Sequence, residues 1–242
     1  MEKYKTLYLL MVVPLILIQV GIFGDYWGDF GRNTWAVHLH YWLASAWYVL
    51  LIVQPFLYAQ GSIATHRTVG IFGFFIAGGF GFTSISMMHR DIFYADMSAQ
   101  MPERFGVLEP WFFLGVLVNE LALFTAFMIA IPMAILYRKQ MEDHAWWLIS
   151  TAFIIMMPAL GRGMQNTAIM IFGFDNPIIV LQPLFLTQVI IISLTLAAAA
   201  YLGKLRHPAT FITVLANLVP FFMGPIGKSE AVEAFLRAVF KG

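Results

Sequence analysis

The sequence predicts an all-α fold: a polytopic membrane protein built as a seven-helix transmembrane bundle with a C-terminal amphipathic helix. Three observations lead there. The 242 residues are 60% hydrophobic and 11% charged, with a mean hydropathy of +0.79, whereas a soluble domain carries about 25% charged residues. Apolar runs long enough to cross a hydrocarbon core of ~30 Å, which takes ~20 residues of helix, recur along the whole chain. Charged and turn-forming residues fall in the gaps between them. The formal net charge of +1 provides no basic field for a nucleic-acid partner. The chain contains no cysteine, which removes disulfides, thiolate metal sites, iron–sulfur clusters and cysteine nucleophiles together.

The runs lie at 5–24, 35–60, 68–88, 111–137, 145–163, 177–203 and 208–226, within one domain covering 1–242. Lys3 and Lys5 precede the first run, but no small-residue cleavage site follows it, so it reads as a retained helix and not a signal peptide. The longest gap, 89–110, carries seven of the chain's ionisable residues, His89 included. In the last segment, 229–240, Val232, Phe235, Leu236, Val239 and Phe240 recur at i, i+3, i+4, i+7 and i+8. That spacing makes a helix with one apolar face, too short to span and suited to lying on a membrane surface.

Lysine and arginine set the orientation. Lys3, Lys5, Arg67, Arg138, Lys139, Lys204 and Arg206 fall on one side, against Arg32, Arg90, Arg104 and Arg162 on the other. The excess places the N-terminus in the cytoplasm and the C-terminus outside, as in a bacterial inner-membrane protein. Lys228, Arg237 and Lys241 in the tail weigh the other way. Trp27, Trp35, Trp111, Trp146 and Trp147 sit near run ends, as interfacial tryptophans do.

Ionisable groups inside apolar runs are costly and point to function. Glu120 lies about ten residues into the fourth run, roughly 10–15 Å below its outer end. His38 and His40 open the second run, His89 closes the third and Arg162 closes the fifth, all on the outer side. His38 and His40 are about 200° apart around a helix axis and cannot both face one small ligand on a regular helix. His40 shares its face with Trp47 and Gln54, so His40 is expected to point into the bundle. His66, His144 and His207 cluster on the inner side. Gly73, Ala77 and Gly81 form a ridge of small residues, which suits close helix packing or a flat cofactor. Met87, Met88, Met97 and Met101 beside His89 offer soft ligands for copper.

Several motifs are absent. There is no P-loop, no His-Glu-x-x-His, no Glu-x-x-His di-iron pair and no lysine in the middle of the last run for a retinal Schiff base. The six histidines are too scattered for a desaturase pattern.

Short patterns occur together: His38-x-His40 with Trp47, Gln54-Pro55, His66-Arg67-x-x-Gly70, Tyr137-Arg138, and His144 leading to Pro158-Ala-Leu-Gly-Arg162. Over about residues 35–163 this resembles a widespread bacterial family of small uncharacterised integral membrane proteins. Its pattern runs His-x-His, Gln-Pro, His-Arg-x-x-Gly, then His and Pro-Ala-x-x-Arg. The resemblance implies that His40, His66, Arg67, His144 and Arg162 belong to one system.

Three function classes follow. A haem b protein would use His40 and His89 as one axial pair and His66 and His144 as another, with Arg67 and Arg162 near the propionates. It would serve electron transfer to a membrane redox partner or quinone. A zinc-dependent hydrolase would gather His38, His40, His89 and Glu120 around the metal. A transporter or assembly subunit without catalysis would use Glu120 and Arg162 as a polar relay. Absorption spectra of the oxidised and dithionite-reduced protein separate them: a haem protein shows a Soret band that His40→Ala and His66→Ala each diminish. A full spectrum in both variants would rule out these ligands.

Overall fold

The computed structural model describes residues 6–240, and every regular element among them is helical. Lys3, Lys5, Lys241 and the first residue of the first run lie outside the described residues. Two short helices open the chain, α1 (Leu7–Leu10) and α2 (Val12–Gly21). Pro14 accounts for the interruption between them: it has no amide hydrogen for the Leu10 carbonyl, and its ring crowds the preceding turn. A π-helical turn (Phe23–Trp27) and a 3-10 turn (Phe30–Arg32) lead into α3 (Trp35–Ala59). Then follow α4 (Ile63–Gln100), α5 (Pro102–Phe105), α6 (Pro110–Leu136), α7 (Met141–Ile154) and α8 (Met157–Phe172). The chain closes with α9 (Ile178–Leu202), α10 (Pro208–Leu218), a 3-10 turn (Val219–Phe222), α11 (Met223–Gly227) and α12 (Glu230–Phe240).

Six segments among the described residues are long and apolar enough to cross a membrane: α3, α4, α6, α7 with α8, α9, and α10 through α11. The first of the seven apolar runs appears as the shorter stretch Leu7–Gly21. The third run, 68–88, is only the middle of α4, which is 38 residues long and so about 57 Å from end to end. Arg90, Asp91 and Asp96 end the apolar run without ending the helix. Met88, Ile92 and Ala95 keep helical spacing across that point and are buried.

The centre of the bundle is α7. Its residues from Ile149 to Ile154 are all buried, so neighbours wrap the helix on every side. Several polar tips entering this core find partners, whereas Trp147 Nε1 is buried with none among the described residues. Trp47 Nε1 donates to Thr151 Oγ1 at 2.9 Å, the Tyr48 hydroxyl donates to the Ala152 carbonyl at 2.6 Å, and Trp146 Nε1 donates to Thr210 Oγ1 at 3.0 Å. Trp146 and Trp147, expected at a membrane–water boundary, are fully buried. The helix begins at Met141, ahead of the apolar run, and carries both indoles more than a turn inward.

Glycines fix the closest crossings. A Cβ at Gly163 of α8 would stand 2.4 Å from the Gly21 carbonyl of α2, and one at Gly227 of α11 would stand 2.0 Å from the Trp111 carbonyl of α6. The small-residue ridge of α4 serves packing: Gly73 receives Leu50 of α3, and Gly81 faces Met128 of α6. Gly227→Ala therefore forces two backbones apart and should destabilise by about 2–3 kcal/mol. Gly78 has nothing within 4 Å of its Cβ position among the described residues, so Gly78→Ala should be neutral or stabilising by up to ~1 kcal/mol. Thermal unfolding of the two variants in one detergent checks the contrast.

Outside the spans, His207 caps α10. Its Nδ1 accepts from the Ala209 amide at 3.1 Å, which leaves the ring proton on Nε2, 3.6 Å from Asp143 Oδ1. Lys204 Nζ reaches the same oxygen at 2.6 Å. Burial pushes the His207 pKa below its ordinary value, opposed by Asp143 and reinforced by Lys204. With a depressed folded value, this contribution to stability is complete above the unfolded pKa of about 6.5 and fades as the pH falls below it. Wild-type thermal stability should accordingly fall more steeply between pH 7 and pH 5 than that of His207→Asn, which keeps a capping side chain but does not titrate. Parallel curves would contradict the assignment.

Candidate functional site

Pro158 shapes the site before any charged residue does. Lacking an amide hydrogen, it leaves the Ile154 carbonyl without its helical donor, and α7 stops there, in the interior of the bundle. The chain turns through Ile155 and Met156 and restarts as α8. The first turn of α8 then faces a cavity of about 550 Å³ whose floor includes Ile155, Met157 and Pro158. The other walls come mainly from α3, α4, α6 and the turns after α2, and include Phe80, Phe112 and Phe124.

Two carboxyl groups enter from facing helices. Asp91 of α4 is 7% exposed, and its side chain lies within hydrogen-bonding reach of the Glu120 carboxyl of α6. Asp91 Oδ2 is buried with no donor among the described residues. Two carboxyl groups hydrogen-bond to each other only when one of them carries a proton. Arg162 and Arg90 both act electrostatically on this pair. Neither guanidinium forms an ion pair with a carboxylate among the described residues. Arg90 instead donates to Tyr94 Oη at 3.3 Å and Met87 Sδ at 3.5 Å.

His40 enters from α3 with its tautomer fixed. The Thr83 hydroxyl donates to the Gly79 and Phe80 carbonyls, each at 3.0 Å. Its oxygen therefore accepts from His40 Nδ1 at 3.1 Å. The proton is on Nδ1, and the Nε2 lone pair is left for the cavity that His40 lines. At the mouth, Asn166 Nδ2 donates to Asp25 Oδ1, and Asp29 pairs with Arg32 at 3.5 Å. Burial pushes the Tyr26 hydroxyl above its ordinary pKa, with the Trp42 indole opposing, so Tyr26 is neutral at the cavity wall.

The structure thus brings His40, Glu120 and Arg162 together and leaves the other named residues elsewhere. His38 sits on the other face of α3, its Nδ1 2.9 Å from the Tyr26 hydroxyl and its ring stacked on Trp42. His89 is exposed on α4, with Nδ1 donating to the Ile85 carbonyl at 3.2 Å and its ring 5.6 Å from Phe240. His66, Arg67 and His144 lie at the opposite end of the bundle, where His66 Nδ1 donates to the Gln54 carbonyl at 3.3 Å and His144 Nδ1 to the Ala134 carbonyl at 2.8 Å. Among the described residues, no three histidine, aspartate or glutamate side chains gather as a metal site. The sequence reading passed over Asp91 as a site residue, because hydropathy places it in a loop. The helical spacing of Met88, Ile92 and Ala95 was the signal that α4 runs on and turns Asp91 inward.

Comparison with protein-family models, with curated proteins and with solved structures finds no match for this chain. Its class rests on its own physics: an all-helical polytopic membrane protein with a charged cavity entering the bundle at one end.

Proposed function

We propose that the protein is a proton-linked carrier of a small solute, with the Asp91–Glu120 pair as its proton site. The observation that carries this reading is the meeting of two carboxyl groups inside a cavity that also holds Arg162 and His40. In this reading the pair takes up and releases the coupled proton, Arg162 and Arg90 act on it electrostatically, and the cavity gives water access. A span broken at mid-depth and aimed at a polar cavity is the construction that carriers use to place ligand and coupling-ion sites. Glu120 and Arg162 then form the relay expected of a non-catalytic transporter, with Asp91 as its third member.

Around this site we read the stretch Leu7–Gly21 as a seventh membrane-inserted element and α12 as a surface helix. Its Leu236 and Phe240 pack on α4, while Phe235 and Val239 remain exposed. We also place the N-terminus on the cytoplasmic side of a bacterial inner membrane, following the lysine and arginine distribution. We further place residues 35–163 in the family with the His-Arg-x-x-Gly pattern, on the motifs around His40, His66 and His144.

A second reading has one observation in its favour. His66 and His144 interact electrostatically, and both donate from Nδ1 to backbone carbonyls, which leaves each Nε2 lone pair free, as in axial imidazoles. A haem at that end remains the target of the spectral test given above.

The carrier reading is checked by infrared difference spectroscopy at pH 7 on the reconstituted protein. A protonated-carboxyl C=O band that shifts in D2O and vanishes in Glu120→Gln is expected. In vesicles loaded with a pH-sensitive dye, solute-driven acidification should drop at least tenfold in the same variant. Absence of the carboxyl band from wild type would overturn the reading.

A further inference from the structure

We infer that a monovalent alkali cation binds where α7 breaks, held by the Ile154 carbonyl and by side-chain amide oxygens of Asn119, Gln188 and Asn217. The inference goes beyond the proton site and makes no use of the carboxyl pair.

A helix that ends inside a bundle must have its last carbonyls satisfied. Three of the last four in α7 have donors. Thr151 accepts from the Ile155 amide at 3.1 Å, Ala152 from the Tyr48 hydroxyl at 2.6 Å and Phe153 from Asn217 Nδ2 at 3.5 Å. The fourth, Ile154, loses its helical donor to Pro158. The C-terminal end of a helix also carries about half a negative elementary charge, and α7 has no basic residue in its last turn to meet it.

Three side-chain amides stand around this end. Asn217 of α10 touches it through Phe153. Asn119 of α6 donates to Met157 Sδ at 3.2 Å, just past the break. Gln188 of α9 comes level through helix register. Gln165 of α8 donates to the Ile179 carbonyl, and Leu184 packs on Gly161, so in this antiparallel pair Gln188 falls beside Met157. The stacked rings of Phe185 and Phe221 bring it level with Asn217 to within about one helical turn, ~5 Å. All three amides are fully buried. Yet Asn119 Oδ1, Asn217 Oδ1 and both ends of Gln188 have no partner among the described residues. Two of the amides cannot be turned round. The Met157 thioether and the Thr213 and Phe153 carbonyls only accept, so the NH2 groups of Asn119 and Asn217 face them and the oxygens are left over.

Four oxygens without donors thus lie around the negative end of a helix. A metal cation answers both the oxygens and the dipole, whereas water brings no charge. The freed carbonyls and C-terminal ends of broken helices are where carriers seat coupling cations. No carboxylate belongs to the group, which sets it apart from calcium and magnesium sites. Arg162, the first basic residue after the break, is exposed and lines the cavity.

The full-length protein in detergent is unfolded thermally while sodium, potassium or magnesium chloride replaces N-methylglucamine chloride at constant ionic strength. Sodium or potassium should stabilise it saturably. Gln188→Met loses the oxygen at similar volume and should weaken half-saturation at least tenfold. Its ion-free stability should equal or exceed that of wild type, because a buried amide without partners has been removed. Asn119→Leu gives the same test if Gln188→Met fails to fold. Glu120→Gln should keep the ion response. No saturable response to either alkali ion, stronger stabilisation by magnesium, or a response lost in Glu120→Gln and kept in Gln188→Met would overturn the inference. The carboxyl band is recorded in N-methylglucamine buffer, so its absence removes the carrier reading and leaves the cation site standing.

Discussion

The arrangement of this protein depends on one missing hydrogen. Pro158 has no amide proton, and it stands near the middle of a 32-residue apolar segment, Met141–Phe172. An unbroken helix there would carry Arg162 past the cavity on a fixed register with Trp146 and Trp147. The break separates two tasks. The α7 half is buried on all sides and anchors α3 and α10 through indole, tyrosine and threonine hydrogen bonds. The α8 half is free to lean on α2 at the Gly21–Gly163 crossing and to bring its first turn to the cavity. A non-helical stretch at membrane depth is tolerated only inside protein or beside a polar cavity, and this one has both.

The charged residues follow the same logic. A carboxylate or guanidinium facing hydrocarbon is costly, and here the groups face one another across a polar hollow between α4, α6 and α8. Their distances matter more than their number. Arg162 acts on both carboxyls without closing onto either, so the cluster does not collapse into an ordinary buried ion pair, which would be a structural device with little capacity for exchange. Thr83 adds a second restraint. By spending its hydroxyl hydrogen on its own helix, it sets the imidazole of His40 in one tautomer. A backbone carbonyl four residues earlier on α4 thereby determines what the ring offers the cavity.

Much of this was legible in the residues. Apolar runs separated by polar gaps place α3, α6, α9 and the α10–α11 span within a few residues, because span length is a direct consequence of hydrocarbon thickness. Glu120, His40 and Arg162 drew attention because each is a polar group in or at the end of an apolar run. Hydropathy failed where helix and membrane part company. α4 continues well past His89, and Asp91, read as loop, is a buried partner of Glu120. It failed again at Trp146 and Trp147, where the apolar run starts after the helix does. The span order places His66 and His144 at one end of the bundle, where they do interact, but it equally pairs His40 with His89, which the structure keeps apart, His40 at the cavity and His89 exposed on α4. Which side chains meet follows from which faces the helices turn to one another, and close crossings such as Gly21 with Gly163 and Gly227 with Trp111 have no meaning until the helices are laid side by side.

The 38-residue length of α4 has a consequence for the membrane itself. At about 57 Å against a hydrocarbon core of ~30 Å, the helix exceeds the bilayer. Four of its exposed phenylalanines, Phe72, Phe74, Phe75 and Phe82, lie within the apolar run and face lipid tails, and Phe93 stands exposed beyond it. Beyond them α12 is strapped to the overhang by Arg237, which bonds Asp96 at 2.6 Å and which Asp96 and then Glu233 hold protonated above its ordinary range. The overhang is thus a rigid gauge of bilayer thickness. A thicker bilayer would draw lipid tails up toward Arg90 and the cavity mouth, whereas a thin one leaves the mouth in the headgroup zone where water is plentiful. Hydrophobic mismatch, of which each ångström costs a fraction of a kcal/mol, then links the lipid composition of the host membrane to the hydration of the carboxyl pair.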